Sequence, residues 1–201
     1  FLDILLSALA MLFLSPVFLI VAILEIIYHG FPIFYITERP GKDEKIIKIY
    51  KFRSMTNEKG EDGNLLPNDK RLTKFGRIIR RLSIDELPEL WSILKGDMSI
   101  IGPRPLLIKY LDYYTPRQAT RHLVRPGLAC VRINKSESDT WTWEEQLEND
   151  IYYIEHISFL TDVRMIFAVI KEAIKGADYR VNATRKGFKG TKEAQEETTI
   201  S

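Results

Sequence analysis

The chain has 201 residues, a length that fits one domain with attachments, and its apolar fraction of 45% is ordinary for a protein with a buried core. Lysine and arginine number 29 against 27 aspartates and glutamates, so the chain lacks the basic excess of a dedicated nucleic-acid-binding protein. One cysteine excludes an internal disulfide, and the three histidines show no ligand spacing that predicts a structural zinc site.

The first predicted element is an uncharged apolar run over residues 4–24. About 20 apolar residues in a helix cross the hydrocarbon core of a bilayer, and few helices of soluble proteins are apolar on every side for this length. The run is too long for a secretory signal sequence, and no small-residue cleavage site follows it. A membrane-inserted helix is therefore preferred over the alternative, a buried core helix.

Ser15 and Pro16 lie in the middle of this run. Proline removes one helix hydrogen bond, and a serine hydroxyl can satisfy the carbonyl that is freed. Two paths fit equally well: a kinked helix that spans the membrane, and a break that returns the helix to the side from which it entered. The basic residues that follow place the downstream part in the cytoplasm; they are Lys42, Lys45, Lys48, Lys51 and Arg53.

Short apolar or alternating runs at residues 33–37 and 46–52 predict two strands, and Arg39-Pro40-Gly41-Lys42 between them predicts the turn of a β-hairpin. The polar residues 57–69 predict a loop. Helical patterns follow at residues 74–81, 85–94, 106–114, 144–153 and 160–175.

The last helix carries apolar residues at helical spacing, namely Leu160, Val163, Phe167, Ile170 and Ile174. The preferred interpretation is a stripe that faces the core, with a membrane-interface helix as the second. The polar residues 191–201 predict a disordered tail.

Asp85 and Glu86 place two adjacent carboxylates at a predicted helix start. Taken alone, Ser83 and Glu86 fit a capping box, and acids in a first turn suit the helix dipole. Basic residues nearby favour a second interpretation, because arginine forks match phosphate oxygens and carboxylates bind Mg²⁺. The candidates for phosphate contact are Lys51, Arg53, Arg80 and Arg104, the last of which Pro103 and Pro105 hold on both sides.

The chain resembles the bacterial sugar transferase family, the monotopic phosphoglycosyl transferases that begin glycoconjugate assembly. The matching stretches keep the family's order and spacing over about residues 1–190. They are Lys51-Phe52-Arg53-Ser54-Met55, Asp69-x-Arg71-Leu72-Thr73-x-Phe75-Gly76, Leu82-Ser83-Ile84-Asp85-Glu86-Leu87-Pro88, Gly96-Asp97-Met98-Ser99, Gly102-Pro103-Arg104-Pro105, Arg125-Pro126-Gly127 and Asp150-x-Tyr152-Tyr153.

The resemblance implies a fold and a location. It implies an α+β, mainly helical chain with three parts: a re-entrant membrane helix at residues 1–30 that turns at Ser15 and Pro16, a catalytic domain at 31–190, and the tail at 191–201. The catalytic domain would lie on the cytoplasmic face of the bacterial inner membrane, with a small β-hairpin and interfacial amphipathic helices.

The resemblance also implies a reaction. Asp85 would attack the β-phosphorus of a UDP-sugar, UMP would leave, and polyprenyl phosphate would take the sugar phosphate from Asp85. Asp85 and Glu86 would hold Mg²⁺, and Arg104 would clamp phosphate, followed by Arg80, Lys51 and Arg125. The implied partners are the UDP-sugar, polyprenyl phosphate, membrane lipid and downstream glycosyltransferases.

Two stretches depart from the family pattern. Thr37 stands where the family has a glutamine two residues before the hairpin arginine, and residues 128–135 lack the usual glycines. Two alternatives to the transferase therefore stay open. One is a membrane-anchored scaffold or pseudoenzyme of the same fold, and the other is a phosphohydrolase that transfers the nucleotide-sugar's phosphate to water.

Overall fold

The computed structural model describes residues 2–130, 142–175 and 188–190. It is mainly helical, as predicted, and it has two small sheets, of which only the first was predicted. The α-helices are α1 (Leu2–His29), α2 (Asn68–Arg71), α3 (Lys74–Arg81), α4 (Glu89–Leu94), α5 (Pro116–Ala119), α6 (Trp143–Glu155) and α7 (Phe159–Lys175). The strands are β1 (Phe34–Pro40), β2 (Ile46–Phe52), β3 (Ser99–Ile101) and β4 (Gly127–Ala129). Segments of 3₁₀ helix cover Lys42–Glu44, Ile84–Glu86, Ile108–Tyr113 and Thr120–Leu123.

Helix α1 runs for 28 residues and continues through Pro16. Pro16 has no N–H to donate to the carbonyl of Leu12, and the Ser15 hydroxyl donates to that carbonyl instead, at 2.7 Å. This contact confirms the predicted use of the serine. It also explains why the predicted break does not interrupt the helix. At about 1.5 Å per residue, α1 is long and apolar enough to cross a membrane.

Both ends of α1 are fastened to the rest of the chain. Near its start, the Asp3 carboxylate accepts hydrogen bonds from Ser99 Oγ at 2.7 Å, from Arg125 Nη2 at 3.0 Å and from a backbone N–H of β3 at 3.1 Å. At its end, Arg53 Nη1 donates to the carbonyl of His29 at 3.2 Å. The two ends of the helix therefore lie against the same domain.

Between these ends, α1 presents two different faces. One face packs on β2 and α4, where Met11 and Leu14 contact a buried cluster that includes Ile49 and Ile93. The opposite face is apolar and exposed, and it carries Leu12, Phe13, Leu19, Ile20 and Ile27. Helix α1 thus lies along the domain with an uncovered apolar face.

The predicted hairpin is confirmed: β1 and β2 pair antiparallel along their whole length. The predicted turn was placed too early, because Arg39 and Pro40 still belong to β1. The chain turns between Gly41 and Lys45, and the Gly41 N–H donates to the Lys45 carbonyl at 2.8 Å. The longer strand places Arg39 within electrostatic reach of Arg104 and Glu89, both described below.

The other predicted helices are found with different bounds. Helix α3 matches residues 74–81, and α6 and α7 begin one residue earlier than predicted. The predicted loop at 57–69 ends early, because α2 begins at Asn68. The short helix predicted at 106–114 is found as the 3₁₀ helix Ile108–Tyr113.

The core face predicted for α7 is wrong for Leu160 and Phe167. These two residues are 57% and 68% exposed, whereas Met165 is buried beside Tyr153 and Ile101. Both therefore face outward, as the second interpretation of this helix required; the side chains of Ile170 and Ile174 lie outside the described residues.

Strands β3 and β4 were not predicted. They pair in parallel, Ser99 with Gly127 and Ile101 with Ala129. After β3 ends, the chain stays attached to β4, because the Gly127 N–H donates to the Pro103 carbonyl at 3.0 Å. Three-residue strands leave too short an apolar pattern to distinguish them from a loop. This small sheet holds the start of the Pro103-Arg104-Pro105 segment.

Replacing Gly127 with alanine should lower the melting temperature strongly. A Cβ atom there would lie 2.1 Å from the backbone nitrogen of Gly102, so the strands must separate. We expect a loss of about 3 kcal/mol or more of unfolding free energy, measured by thermal unfolding of the detergent-extracted protein. Gly60→Ala is the control, because its Cβ would meet only the movable Asp62 side chain. Equal melting temperatures for the two variants would contradict the close approach of β3 and β4.

Three predictions lie outside the described residues. They are the disordered tail at 191–201, most of the atypical loop at 128–135, and the final boundary of the catalytic domain near residue 190, which has only residues 188–190 described around it.

Candidate active site

The Asp85-Glu86 dyad lies in a tight turn between α3 and α4. Ser83 has a left-handed backbone (φ +55°), and the chain then forms the 3₁₀ segment Ile84–Glu86. Pro88 has no N–H to donate, and α4 begins at Glu89. The helix predicted over 85–94 is therefore two separate pieces. Ser83 makes no capping hydrogen bond here, so the capping interpretation is wrong.

Glu86 is held by two cations. Its Oε1 atom accepts a hydrogen bond from Lys51 Nζ at 2.8 Å, and Arg104 Nη2 forms a short ion pair with the same oxygen. Burial alone would raise the pKa of Glu86, but the charges of Arg104 and Lys51 outweigh it and lower the pKa to about 2. Glu86 is therefore ionised throughout the physiological range.

Asp85 has the opposite character. Burial, helped by the negative charge of Glu86, raises the pKa of Asp85 to about 6, against the opposing effect of Lys51, Arg80 and Arg104. Two adjacent carboxyl groups thus have pKa values pushed apart, an arrangement that is common where each has a separate chemical task. A desolvated carboxylate that ionises near neutral pH is a plausible nucleophile.

A third carboxylate, which the sequence reasoning missed, completes the cluster. Glu89 is 4% exposed and forms an ion pair with Lys51 Nζ at 2.9 Å. Burial raises the pKa of Glu89, and Lys51 partly offsets that rise. Lys51 is thereby held between two carboxylates, Glu89 at the start of α4 and Glu86 in the turn before it. Its position one turn beyond Glu86 was the only available sequence signal.

Arg104 reaches the dyad from the segment after β3. Its side chain is 48% exposed, so one side of the guanidinium is open to a ligand while the other contacts Glu86. Its backbone is held as well, because Arg121 Nη2 donates to the Arg104 carbonyl at 2.7 Å. Arg104, which is predicted to bind substrate phosphate, therefore lies in contact with the dyad.

The remaining predicted residues fall into two groups. Arg80 Nε donates to Ser54 Oγ at 2.7 Å, and its charge lowers the pKa of Asp85, so it belongs to the site. Arg53 and Arg125 do not contact the dyad: each fastens one end of α1, as described above. Their prediction as substrate-binding residues finds no supporting contact among the described residues.

Arg39 is a further basic residue, within electrostatic reach of Arg104 and Glu89. Its Nη1 atom donates to Thr37 Oγ1 at 2.6 Å, and burial together with the charge of Arg104 lowers its pKa. Thr37 is the residue that replaces the family's glutamine. Thr37 therefore still offers Arg39 a hydrogen-bond acceptor, as a glutamine would. The unusual residue at position 37 was the sequence feature that drew attention to Arg39.

The dyad fits a Mg²⁺ ion in part. Mg²⁺ is usually bound through one or two carboxylates together with substrate phosphates. Lys51 and Arg104 both contact Oε1 of Glu86, so a metal would be bound through Oε2 and the Asp85 carboxylate. Within the described ranges, no three histidine, cysteine, aspartate or glutamate side chains form a group that could bind a metal without a substrate.

The family model described as "Bacterial sugar transferase" matches residues 1–176. A similar protein of Bacillus subtilis (strain 168), named Uncharacterized sugar transferase EpsL, is 43% identical over 81% of this chain and 81% of its own length.

Two further relatives carry names that state a reaction. The UDP-N-acetylgalactosamine-undecaprenyl-phosphate N-acetylgalactosaminephosphotransferase of Aeromonas hydrophila is 35% identical over 87% of this chain. The UDP-glucose:undecaprenyl-phosphate glucose-1-phosphate transferase of Klebsiella pneumoniae is 35% identical over 84%. The chain spans only 43% and 38% of the lengths of these two relatives. On the family match and the Bacillus relative together, this chain belongs to the bacterial sugar transferase family.

Proposed function

We propose that this chain moves a sugar 1-phosphate from a UDP-sugar to polyprenyl phosphate and releases UMP. The observation that carries the proposal is the dyad: a half-buried Asp85 whose pKa is raised to about 6, beside a Glu86 that ion pairs with Lys51 and Arg104 keep ionised. The names of the Aeromonas and Klebsiella relatives support the substrate class.

The reaction has two displacement steps at one phosphorus atom. First, an Asp85 carboxylate oxygen forms a bond to the β-phosphorus of the UDP-sugar, and the bond from that phosphorus to the bridging oxygen breaks. UMP leaves with the electron pair, and the sugar phosphate stays on Asp85 as an acyl phosphate. Second, an oxygen of polyprenyl phosphate attacks the same phosphorus and frees the Asp85 carboxylate. The products are polyprenyl diphosphate-sugar and UMP.

The basic residues supply charge where the phosphates bind. Phosphoryl transfer depends mainly on positioning and on stabilisation of phosphate charge. Arg104 offers a fork with one open side, Lys51 a compact ammonium, and Arg80 a charge on the far side of Asp85. Asp85 and Glu86 would hold Mg²⁺, which neutralises the negative charge of a diphosphate when it is bound.

The dependence of UMP release on polyprenyl phosphate separates the transferase from its alternatives. Purified protein is incubated with a panel of UDP-sugars and Mg²⁺, with and without polyprenyl phosphate, and UMP is measured. The transferase makes many UMP per enzyme only with the lipid phosphate. Multiple turnovers without lipid would identify a phosphohydrolase, and no UMP with any donor would favour the scaffold.

The fastening of α1 favours a path in which both ends of the helix stay on one side of the membrane, although the helix does not turn at Ser15 and Pro16. A helix that crosses the bilayer puts its ends on opposite sides, yet Asp3 and His29 both contact the same domain. We propose that the domain lies on the cytoplasmic face of the inner membrane, with the exposed face of α1 and the outward-facing apolar residues of α7 in lipid.

Both ends of α1 should therefore be accessible from the cytoplasm alone. Leu2→Cys and Phe31→Cys place labels at exposed positions beside the two ends, in a Cys130→Ser background. A membrane-impermeant thiol reagent should label neither variant in intact cells and both in inverted vesicles. Glu61→Cys in the exposed loop is the cytoplasmic control. Labelling of Leu2→Cys from outside would mean that α1 spans the membrane.

The first step should slow as pH falls through about 6. The carboxylate is the nucleophile, so protonation of Asp85 removes about tenfold of rate per pH unit below its pKa. Release of UMP in a single turnover without acceptor isolates this step from the titration of the lipid phosphate. Arg80→Met should move the midpoint to higher pH, because the arginine lowers the pKa of Asp85. A flat profile from pH 4.5 to 7.5 would contradict this role.

A further inference from the structure

A buried ion pair lies directly behind Arg104. Arg121 Nη2 and Asp150 Oδ2 are 2.7 Å apart, and the two side chains are 2% and 0% exposed. The same Nη2 atom donates to the Arg104 carbonyl at 2.7 Å. One guanidinium nitrogen thus joins α6 to the backbone of the residue that contacts the dyad.

The guanidinium of Arg121 is fixed from several sides. Its Nη1 atom donates to Tyr114 Oη at 2.9 Å. On the other side of the pair, Cys130 Sγ donates to Asp150 Oδ1 at 3.4 Å. The Arg121 guanidinium therefore bonds Tyr114, Asp150 and the Arg104 carbonyl at the same time. These contacts fix the guanidinium, and the guanidinium in turn fixes the position of the Arg104 carbonyl.

Stability alone does not account for the pair. Burying two charges costs several kcal/mol of desolvation, and apolar residues of similar size often replace a buried ion pair with no loss of stability. A planar arginine can do what an apolar side chain cannot: it bonds a carboxylate and a carbonyl at once. The contacts outside the pair that an apolar replacement would lose are those to Tyr114 Oη and to the Arg104 carbonyl, and the second reaches the residue that contacts Glu86.

A small pocket borders the segment, lined in part by Pro40, Pro103, Pro105 and His122. The two prolines limit the backbone torsions of the segment. Two hydrogen bonds then hold its carbonyls: the Gly127 N–H donates to Pro103, and Arg121 Nη2 donates to Arg104, the residue that contacts Glu86. The bond from Arg121 is therefore the one that acts directly on the Arg104 carbonyl.

We propose that Arg121 and Asp150 are positioning residues that hold Arg104 at the distance from the dyad needed to bind the donor diphosphate. The inference rests on the proposed function, in which Arg104 contacts phosphate. Misplacement of a substrate-binding group by about 1 Å costs on the order of 100-fold in rate. Loss of the pair should therefore act on kcat/KM through Arg104 while the protein stays folded.

A variant that removes both charges separates positioning from folding. In Arg121→Met/Asp150→Leu, no charge is left buried without a partner, so the melting temperature should stay near that of the parent protein. We expect kcat/KM for the UDP-sugar to fall about 30- to 100-fold. The control is Arg117→Met/Glu148→Leu, which removes an exposed pair between α5 and the same helix α6. It should leave kcat/KM within about twofold.

The decisive comparison is made in an Arg104→Ala background. If the buried pair acts through Arg104, removing it from Arg104→Ala should change kcat/KM by less than about threefold, because coupled residues are not additive. A full additional 30- to 100-fold loss there would mean that the pair supports the fold in general. An unchanged kcat/KM for the pair variant in the parent protein would also overturn the proposal.

Binding of UDP with Mg²⁺, measured by calorimetry, gives the same comparison without catalysis. The pair variant and Arg104→Ala should weaken binding, and the combined variant should weaken it no further than Arg104→Ala alone. If UDP binds in this pattern but no sugar phosphate is transferred, the proposed function fails and the positioning role stands. If transfer occurs and the two losses add in binding, the positioning role fails alone.

Discussion

Replacing Asp85 with asparagine is expected to reduce transfer by at least about 10⁴-fold, because an amide cannot form the acyl phosphate. The fold should survive, since asparagine has nearly the same shape. The folded state raises the pKa of Asp85 to about 6, so ionising it above that pH costs stability. The neutral asparagine avoids this cost, and the melting temperature at pH 7.5 should be equal or higher.

A matched control protects this prediction against a trivial explanation. Asp62→Asn changes a carboxylate in an exposed loop that accepts hydrogen bonds from Asn64, and it should keep full activity. Transfer by Asp85→Asn at more than a few per cent of the parent rate would show that Asp85 is not the nucleophile. The mechanism would then be a direct attack by the lipid phosphate within a ternary complex.

The second large effect is expected from Arg104→Lys. Lysine keeps the charge but loses the planar fork that bonds a carboxylate and a phosphate together. Loss of one preorganised charge-stabilising donor typically costs about 10²- to 10³-fold, and we expect kcat/KM to fall by that amount. Because the Arg104 side chain is half exposed, the melting temperature should change little.

The control for this substitution is Arg117→Lys. Arg117 also pairs with glutamates but is 58% exposed and lies on α5, away from the dyad. Steady-state kinetics with the preferred UDP-sugar measure both variants. Near-normal kcat/KM in Arg104→Lys would remove Arg104 as the phosphate clamp and leave Arg80 as the next candidate.

Local pattern was sufficient for much of the fold. The apolar run gave α1, alternation gave the β1–β2 hairpin, and helical spacing gave α3, α6 and α7. Each of these elements can be identified from the sequence pattern of a few residues to a few helical turns. The dyad was found in the same way, as adjacent carboxylates with basic residues nearby.

Contacts between distant segments could not be read from local pattern. Lys51 and Glu86 are 35 positions apart in sequence. Arg53 and Arg125 have the same residue type as Arg104, yet they fasten α1, and only the tertiary fold distinguishes them. The capping box failed for a related reason: Glu86 is bound by cations that arrive from β2 and from the segment after β3.

Local pattern also could not show which face of α7 is exposed or which residues hold Arg104 in place. The apolar stripe of α7 has helical spacing whichever side it turns, so its spacing could not tell core from membrane interface. Arg121 and Asp150 are 29 positions apart, and neither stands in a pattern that indicates a partner. Both kinds of information depend on which elements pack together.

The account depends on a covalent sugar phosphate on Asp85, and intact-mass spectrometry measures it directly. The protein is mixed with a UDP-sugar and Mg²⁺ without lipid acceptor and quenched in acid within seconds. The account predicts a mass increase of one sugar phosphate, UMP equal in amount to enzyme, and location of the adduct on the peptide that contains Asp85. Asp85→Asn should show neither signal. The contradicting result would be an enzyme that transfers sugar phosphate fully when the lipid acceptor is present, but neither releases UMP nor gains mass when the lipid acceptor is absent.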